Sequence, residues 1–112
     1  MATRRLGPAT IEVLHAIAAG HRYGFEIMEA AGLPGGTVYP ALAALERDGL
    51  VSSSWEDPSV AQAEKRPPRR YYDVAHQGRM ALQAEIARLR RLSGIVEEQA
   101  APARPGLAPR KA

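Results

Sequence analysis

A mostly α-helical α+β fold is predicted by three features of the sequence. Two short apolar-periodic segments lead through a tight Gly-Leu-Pro-Gly-Gly turn into a third segment whose two ends are both marked. Two short runs rich in β-branched, aromatic and serine residues follow, separated by a polar, proline-rich stretch. A long amphipathic segment then runs toward the end of the chain. With 112 residues, 46% of them hydrophobic, the chain suffices for one compact domain with appendages. A domain this small buries little surface and gains from a partner subunit.

Residues 1–7 read as a flexible arm. Gly7-Pro8 marks a helix start, because proline has the φ angle of the first helical position and loses nothing by lacking an N–H there. Ile11, Leu14, Ile17 and Ala18 form the apolar stripe of a first helix over residues 8–19, which Gly20 ends. His21-Arg22 turns the chain. Tyr23, Ile27 and Ala30 or Ala31 line one face of a short second helix that stops at Gly32. Two short helices set off from a third by a tight turn make a helix-turn-helix.

The third helix starts near Gly36, or is kinked at Pro40, which is tolerated only in a first turn. Val38, Leu42 and Leu45 recur at helical spacing, and Gly49 supplies the left-handed residue that stops the helix. With that stripe inside, Gly36, Pro40, Ala43 and Arg47 face outward, flanked by Thr37 and Tyr39. Such a face is small and smooth enough to approach a surface closely. Thr37, Tyr39 and the opening N–H groups are donors suited to phosphate oxygens or base edges. These residues are the candidate groove-entering element; by itself the stretch also fits an ordinary amphipathic core helix.

Residues 52–56 and Arg70 to Val74 read as strands. The segment between them, 57–69, is too polar to bury and too long for a tight hairpin, so an exposed, mobile tip is expected. It carries Lys65, Arg66, Arg69 and Arg70 around Pro67-Pro68, a stiffened cationic finger suited to a phosphate backbone. Beside a helix-turn-helix, nucleic-acid contact is favoured over a merely solvated loop.

From Gly78 the helical period returns, with Leu82, Ile86, Leu89 and Val96 in register and Leu92 and Ile95 broadening the stripe. The C-terminal helix is expected over residues 75–99, and Pro102 and Pro105 forbid its continuation. A long helix at the end of a small domain cannot bury its whole stripe at home. Leu82, Ile86, Leu89, Leu92 and Val96 are therefore the candidate dimerisation residues. The tail, 100–112, is almost entirely Ala, Pro, Gly and Arg and reads as disordered.

These pieces resemble the PadR family of transcriptional regulators across about residues 6–98. The matching stretches are Leu6-Gly-Pro-Ala, Tyr23-Gly-Phe-Glu-Ile, Gly36-Thr-Val-Tyr-Pro-Ala-Leu, Leu45-Glu-Arg-Asp-Gly-Leu-Val, Arg69-Arg-Tyr-Tyr and Gly78-Arg. The resemblance, to the short subfamily, implies a winged helix-turn-helix over residues 8–74. It implies a homodimer held mainly by the C-terminal helix, and repression of a promoter until an effector or signal releases it. Double-stranded DNA and a second copy of the chain are the implied partners, a small-molecule effector a further one. Ala75 stands where many relatives carry a capping Thr, so a frayed start to the last helix is expected. Relatives that bind flat drugs between subunits use a Trp on the C-terminal helix; here the one Trp is Trp55, in the wing, and that ligand mode is not expected.

No catalytic constellation is present. The chain has no cysteine, and His15, His21 and His76 share no metal-ligand spacing with one another or with nearby carboxylates, so neither enzyme activity, nor a metal, nor a cofactor is expected. Pro8, Glu12 and His15 interrupt what would otherwise resemble an export signal, and no apolar run is long enough to span a bilayer, so a soluble, cytoplasmic protein is expected. The rival function is a winged-helix protein-interaction module without DNA binding. Such a module has no need of Lys65, Arg66, Arg69 and Arg70 together.

Overall fold

In order along the chain the elements are α1 (Pro8–Ala18), α2 (Gly24–Ala31), α3 (Gly35–Arg47), β1 (Val51–Trp55), α4 (Pro58–Ala63), β2 (Arg70–Val74) and α5 (His76–Ala100). This computed structural model describes residues 5–100, with side chains to residue 95. Most of the expected arm, the tail beyond Ala100 and the side chain of Val96 lie outside the described residues. The chain divides into two units, Met1–Leu82 and Gln83–Ala112.

Three helices make the core of the first unit. Val13, Leu14 and Ile17 of α1, Ile27 of α2, and Val38, Leu42 and Leu45 of α3 are buried together, joined by Val51 and Tyr72 from the sheet. α1 packs against α2, α3 and β2, so its buried face is centred on Val13, Leu14, Ala16 and Ile17. Ile11, expected in the stripe, is only half-buried and Ala18 is exposed. The inward face of α3 is as its periodicity requires, with Ala41 added.

Both glycine stops are used. Gly32 has φ 68° and donates its N–H to the Met28 carbonyl, closing α2. Gly49 has φ 76°, and the Leu50 N–H reaches back to the Leu45 carbonyl at 2.9 Å, closing α3. A Cβ at either position would meet the left-handed penalty of an L residue, roughly 1–2 kcal/mol.

Four local expectations change. Pro40 sits inside α3, past its first turn, and deprives the Gly36 carbonyl of its intrahelical donor. Gly36 is exposed, so that carbonyl can be satisfied from outside. Tyr23 is not on the face of α2: it precedes the helix in extended conformation and forms an isolated antiparallel bridge with Tyr71. The Tyr72 N–H donates to the Arg22 carbonyl at 2.8 Å, so this short segment is tied to β2. β1 and β2 pair antiparallel, from Val51 opposite Val74 to Trp55 opposite Arg70.

The segment 57–69 is not a plain loop. Asp57 caps α4 by accepting from the Ser59 N–H at 2.9 Å, with Pro58 in the first turn, and Ala61 is buried. Lys65, at φ 57°, ends it in the left-handed conformation, where the Arg66 N–H returns to the Ala61 carbonyl at 3.1 Å. Nor does the start of α5 lack anchorage. The Ala75 N–H donates to the Leu50 carbonyl at 2.9 Å, and Arg79 N–H to the Ala75 carbonyl at 3.0 Å. Gly78 lies so close to Leu50 that a Cβ there would collide with that backbone carbonyl and with Val74. These backbone contacts fix the point at which α5 leaves the sheet.

Candidate nucleic-acid interface

The outer face of α3 is as smooth as its sequence implies: Gly36, Pro40, Ala43 and Arg47 are all exposed, with Thr37 half-buried on the flank. No side chain caps this helix, and Pro34 offers only its carbonyl, which accepts from the N–H groups of Thr37 and Val38 at 2.9 and 3.0 Å. Arg47 pairs with Asp48 at 3.5 Å, an exposed contact worth little in water. Tyr39 lies over Gly24 and Gly35. A Cβ on Gly24 would run into its ring and hydroxyl, so that glycine is what lets the ring lie down across the start of α2.

The four wing cations divide into two kinds. Arg66 is not free: its Nη1 and Nη2 donate to the two Glu56 carboxylate oxygens at 2.7 and 2.8 Å, and its Nε to Glu64 at 3.0 Å. Glu56 also accepts from the Arg69 N–H at 3.1 Å and from the Tyr71 hydroxyl at 3.4 Å. The side chains of Arg66 and Glu56 are 20% and 7% exposed, so the pair holds the wing segment from within. Arg69 stacks its guanidinium 3.9 Å from the centre of the Tyr23 ring. Arg70 stands 5.2 Å over Trp55 and 3.5 Å from Glu46. Glu46 takes the Ser53 hydroxyl at 2.6 Å as well, tying the last turns of α3 to both strands. Lys65 is exposed.

Glu46, Glu56, Tyr23 and Ser53 carry this arrangement and were not identified from sequence. Glu56 left a trace there as a carboxylate within reach of a basic run, and Tyr23 and Glu46 stand in stretches that match the family pattern. The hydrogen bonds from Arg66 pull the Glu56 carboxyl from 4.5 to about 2. A carboxyl depressed on folding contributes stability that is present above its unfolded value and lost as pH falls through the folded one. The wing is therefore expected to loosen between pH 4.5 and about 2. Arg66→Gln should return the Glu56 carboxyl toward 4.5, read by its carbon-13 titration; an unchanged titration would place the cause elsewhere.

On α5, Leu82 is 7% exposed and belongs to the core of the first unit, so it offers no seam. In the second unit Leu89, Leu92 and Ile95 are exposed and Ile86 is half-buried. Among the described residues no cluster of His, Cys, Asp or Glu could hold a metal ion, and no helix is long and apolar enough to cross a membrane.

No curated protein matches the sequence. Solved structures do match. A PadR family transcription regulator from Clostridium difficile R20291 is 22% identical, with a TM-score of 0.72 over 82% of this chain and 97% of that one. A PadR-like transcription factor from Bacteroides fragilis is 26% identical, with a TM-score of 0.67 over 81% and 88%. BpsR of Bordetella bronchiseptica, whose DNA binding is regulated by 6-hydroxynicotinic acid, shares the fold at 15% identity, with a TM-score of 0.67 over 87% and 69%. The model of the transcriptional regulator PadR-like family matches residues 13–84, from within α1 through both strands into α5. That match covers most of the chain, its members are transcription regulators rather than enzymes, and the chain belongs to the PadR-like family of transcriptional regulators.

Proposed function

We propose that this chain is a sequence-specific repressor that binds a palindromic operator as a homodimer and is released by an effector or signal. The observation that carries the reading is the pairing, within one unit, of a smooth exposed face on α3 with a cationic wing that is tied to that helix by Glu46 through Ser53 and Arg70. The first turns of α3 enter the major groove, as the second helix of a helix-turn-helix does. Thr37 is the one hydrogen-bonding reader there. Pro40 and Ala43 meet thymine methyl groups, and Tyr39 and the opening N–H groups of Gly35 and Gly36 meet phosphates. With no Arg, Asn or Gln at those positions, specificity leans on half-site spacing and DNA shape.

In the wing, Lys65, Arg69 and Arg70 take the phosphates, and Arg66 holds the segment in place instead of touching DNA. The seam of the dimer is formed by Ile86, Leu89 and Leu92. Footprinting with the purified protein tests the reading, since two protected half-sites about one helical turn apart are expected of a symmetric dimer. Replacing Arg69 and Arg70 together by Ala should weaken all DNA about equally. It should also flatten the log-log salt dependence by roughly one unit for each phosphate that is no longer neutralised. Affinity that is unchanged at both low and high salt would put the wing off the DNA. Absence of any protected site would favour the protein-interaction rival.

A further inference from the structure

The three wing arginines are held in different ways. Arg66 is paired with Glu56, and Arg70 shares Glu46 with Ser53. Among the described residues no carboxylate comes within ion-pair distance of the Arg69 guanidinium, which lies instead on the Tyr23 ring, 3.9 Å from its centre. An aromatic face attracts a cation through its quadrupole and brings no net charge to cancel it. Arg69 is thus confined without being neutralised. Tyr23 is itself fixed on both sides. Its carbonyl accepts the Ile27 N–H at 2.9 Å at the start of α2, and its backbone is bridged to Tyr71 of β2. Its ring meets that of Tyr71 edge to face, with centroids 5.9 Å apart at 85°. Arg22 lies 5.2 Å from the centre of the Tyr71 ring and pairs with Asp73 at 3.0 Å. The Arg69 backbone is held as well, its N–H donating to the Glu56 carboxylate at 3.1 Å and its carbonyl accepting the Glu56 N–H at 2.8 Å. Only its long side chain is left, and a phosphate contact would otherwise have to freeze those rotamers.

We infer that Tyr23 is a positioning residue for DNA binding: its ring holds the Arg69 guanidinium in place for a phosphate, and it acts through Arg69 without touching DNA. The role rests on the function proposed above, because the contact being positioned is the one that Arg69 makes with DNA. A carboxylate in place of the ring would also fix the side chain, but it would compete for the charge that the phosphate needs. The signature is specific. The salt dependence of binding counts the phosphates neutralised, and Tyr23 carries no charge, so its ring can change affinity without changing that count.

Tyr23→Leu in the full chain should weaken binding to the footprinted DNA about fivefold or more and leave the log-log salt slope at its wild-type value. Arg69→Ala should lower both. In the Arg69→Ala background, Tyr23→Leu should cost no more than about twofold further, because the group it acts through is gone. Tyr23→Phe keeps the ring and should bind within about twofold of wild type. Arg69→Lys keeps the charge and loses the planar stack, so it should weaken binding as Tyr23→Leu does, again with the slope unchanged. That variant tests the role even where the leucine variant fails to fold. The stack itself is read without DNA: the Arg69 side-chain protons, assigned by their loss in Arg69→Lys, should lie upfield under the Tyr23 ring and return in Tyr23→Leu. Unshifted protons, or wild-type affinity in Tyr23→Leu, would overturn the role. Equal losses from Tyr23→Leu with and without Arg69, or a large loss in Tyr23→Phe, would assign Tyr23 to the fold or to a DNA contact of its own and overturn it too. A wild-type protein that protects no DNA while its Arg69 protons are shifted would sink the operator reading, and the role with it, and leave the stack standing.

Discussion

Ala43→Glu is expected to weaken operator binding by at least about a hundredfold, close to 2.7 kcal/mol, while the helical circular dichroism is unchanged. Ala43 is exposed on α3, beyond Thr37 and Tyr39, so the substitution removes no packing. Glutamate is nearly as good a helix former as alanine, and surface changes of this kind stay within about 0.5 kcal/mol of neutral. The loss therefore comes from the DNA side. A carboxylate carried into the groove brings like charge to the phosphates and stands where apolar contact with thymine methyl groups is proposed. Tyr39→Phe makes the contrast: loss of one phosphate-directed hydroxyl should cost less, and uniformly across DNA sequences. A folded Ala43→Glu protein that holds the operator as tightly as wild type would falsify entry of α3 into the groove.

The second large effect is expected at the seam of α5, where Leu89→Glu should turn a dimer into a monomer at micromolar concentration. In the single chain Leu89 is 45% exposed and Leu92 and Ile95 are each 48% exposed, so these side chains gain by mutual burial. A glutamate placed in the paired interface meets apolar side chains from both copies. It either stays charged without a partner or gives up its charge, and both routes cost several kcal/mol. That shifts the dissociation constant by about a hundredfold or more. Leu82 is unsuited to the same test, because it is buried in the first unit and its replacement would unfold that unit rather than separate the dimer. Sedimentation that finds the wild type monomeric, or finds the variant still dimeric, sinks the seam.

Much of the fold was legible in the sequence because the features that specify it are local. A helix stop needs one residue that tolerates positive φ, and Gly32 and Gly49 stand at the ends of apolar-periodic runs. The inward face of α3 follows from the spacing of Val38, Leu42 and Leu45, and with it the outward placement of Gly36, Pro40, Ala43 and Arg47. The strand at Arg70 to Val74 is short, aromatic and β-branched and has those same bounds. The helix α4 was also locally encoded: Asp57-Pro58-Ser59 is a capping residue followed by proline at the first helical position, a signal outweighed by the polarity of the whole segment.

The family pattern and the helix with a smooth outer face follow from the order of residues alone, whereas the charges left free to act emerge only when the chain has folded. Arg66 and Arg69 look alike in a basic run. One is locked to Glu56, ten positions back, and the other lies on Tyr23, far earlier in the chain. Glu46 reaches across twenty-four positions to Arg70 and across seven to Ser53, and in doing so braces the wing against α3. The same holds for Leu82, which shares a heptad-like stripe with Leu89 yet is taken into the core. The physical reason is range: a turn or a helix face is set by neighbours within a few residues. Whether a cation is occupied or available depends on which carboxylate or ring the folded chain carries to it.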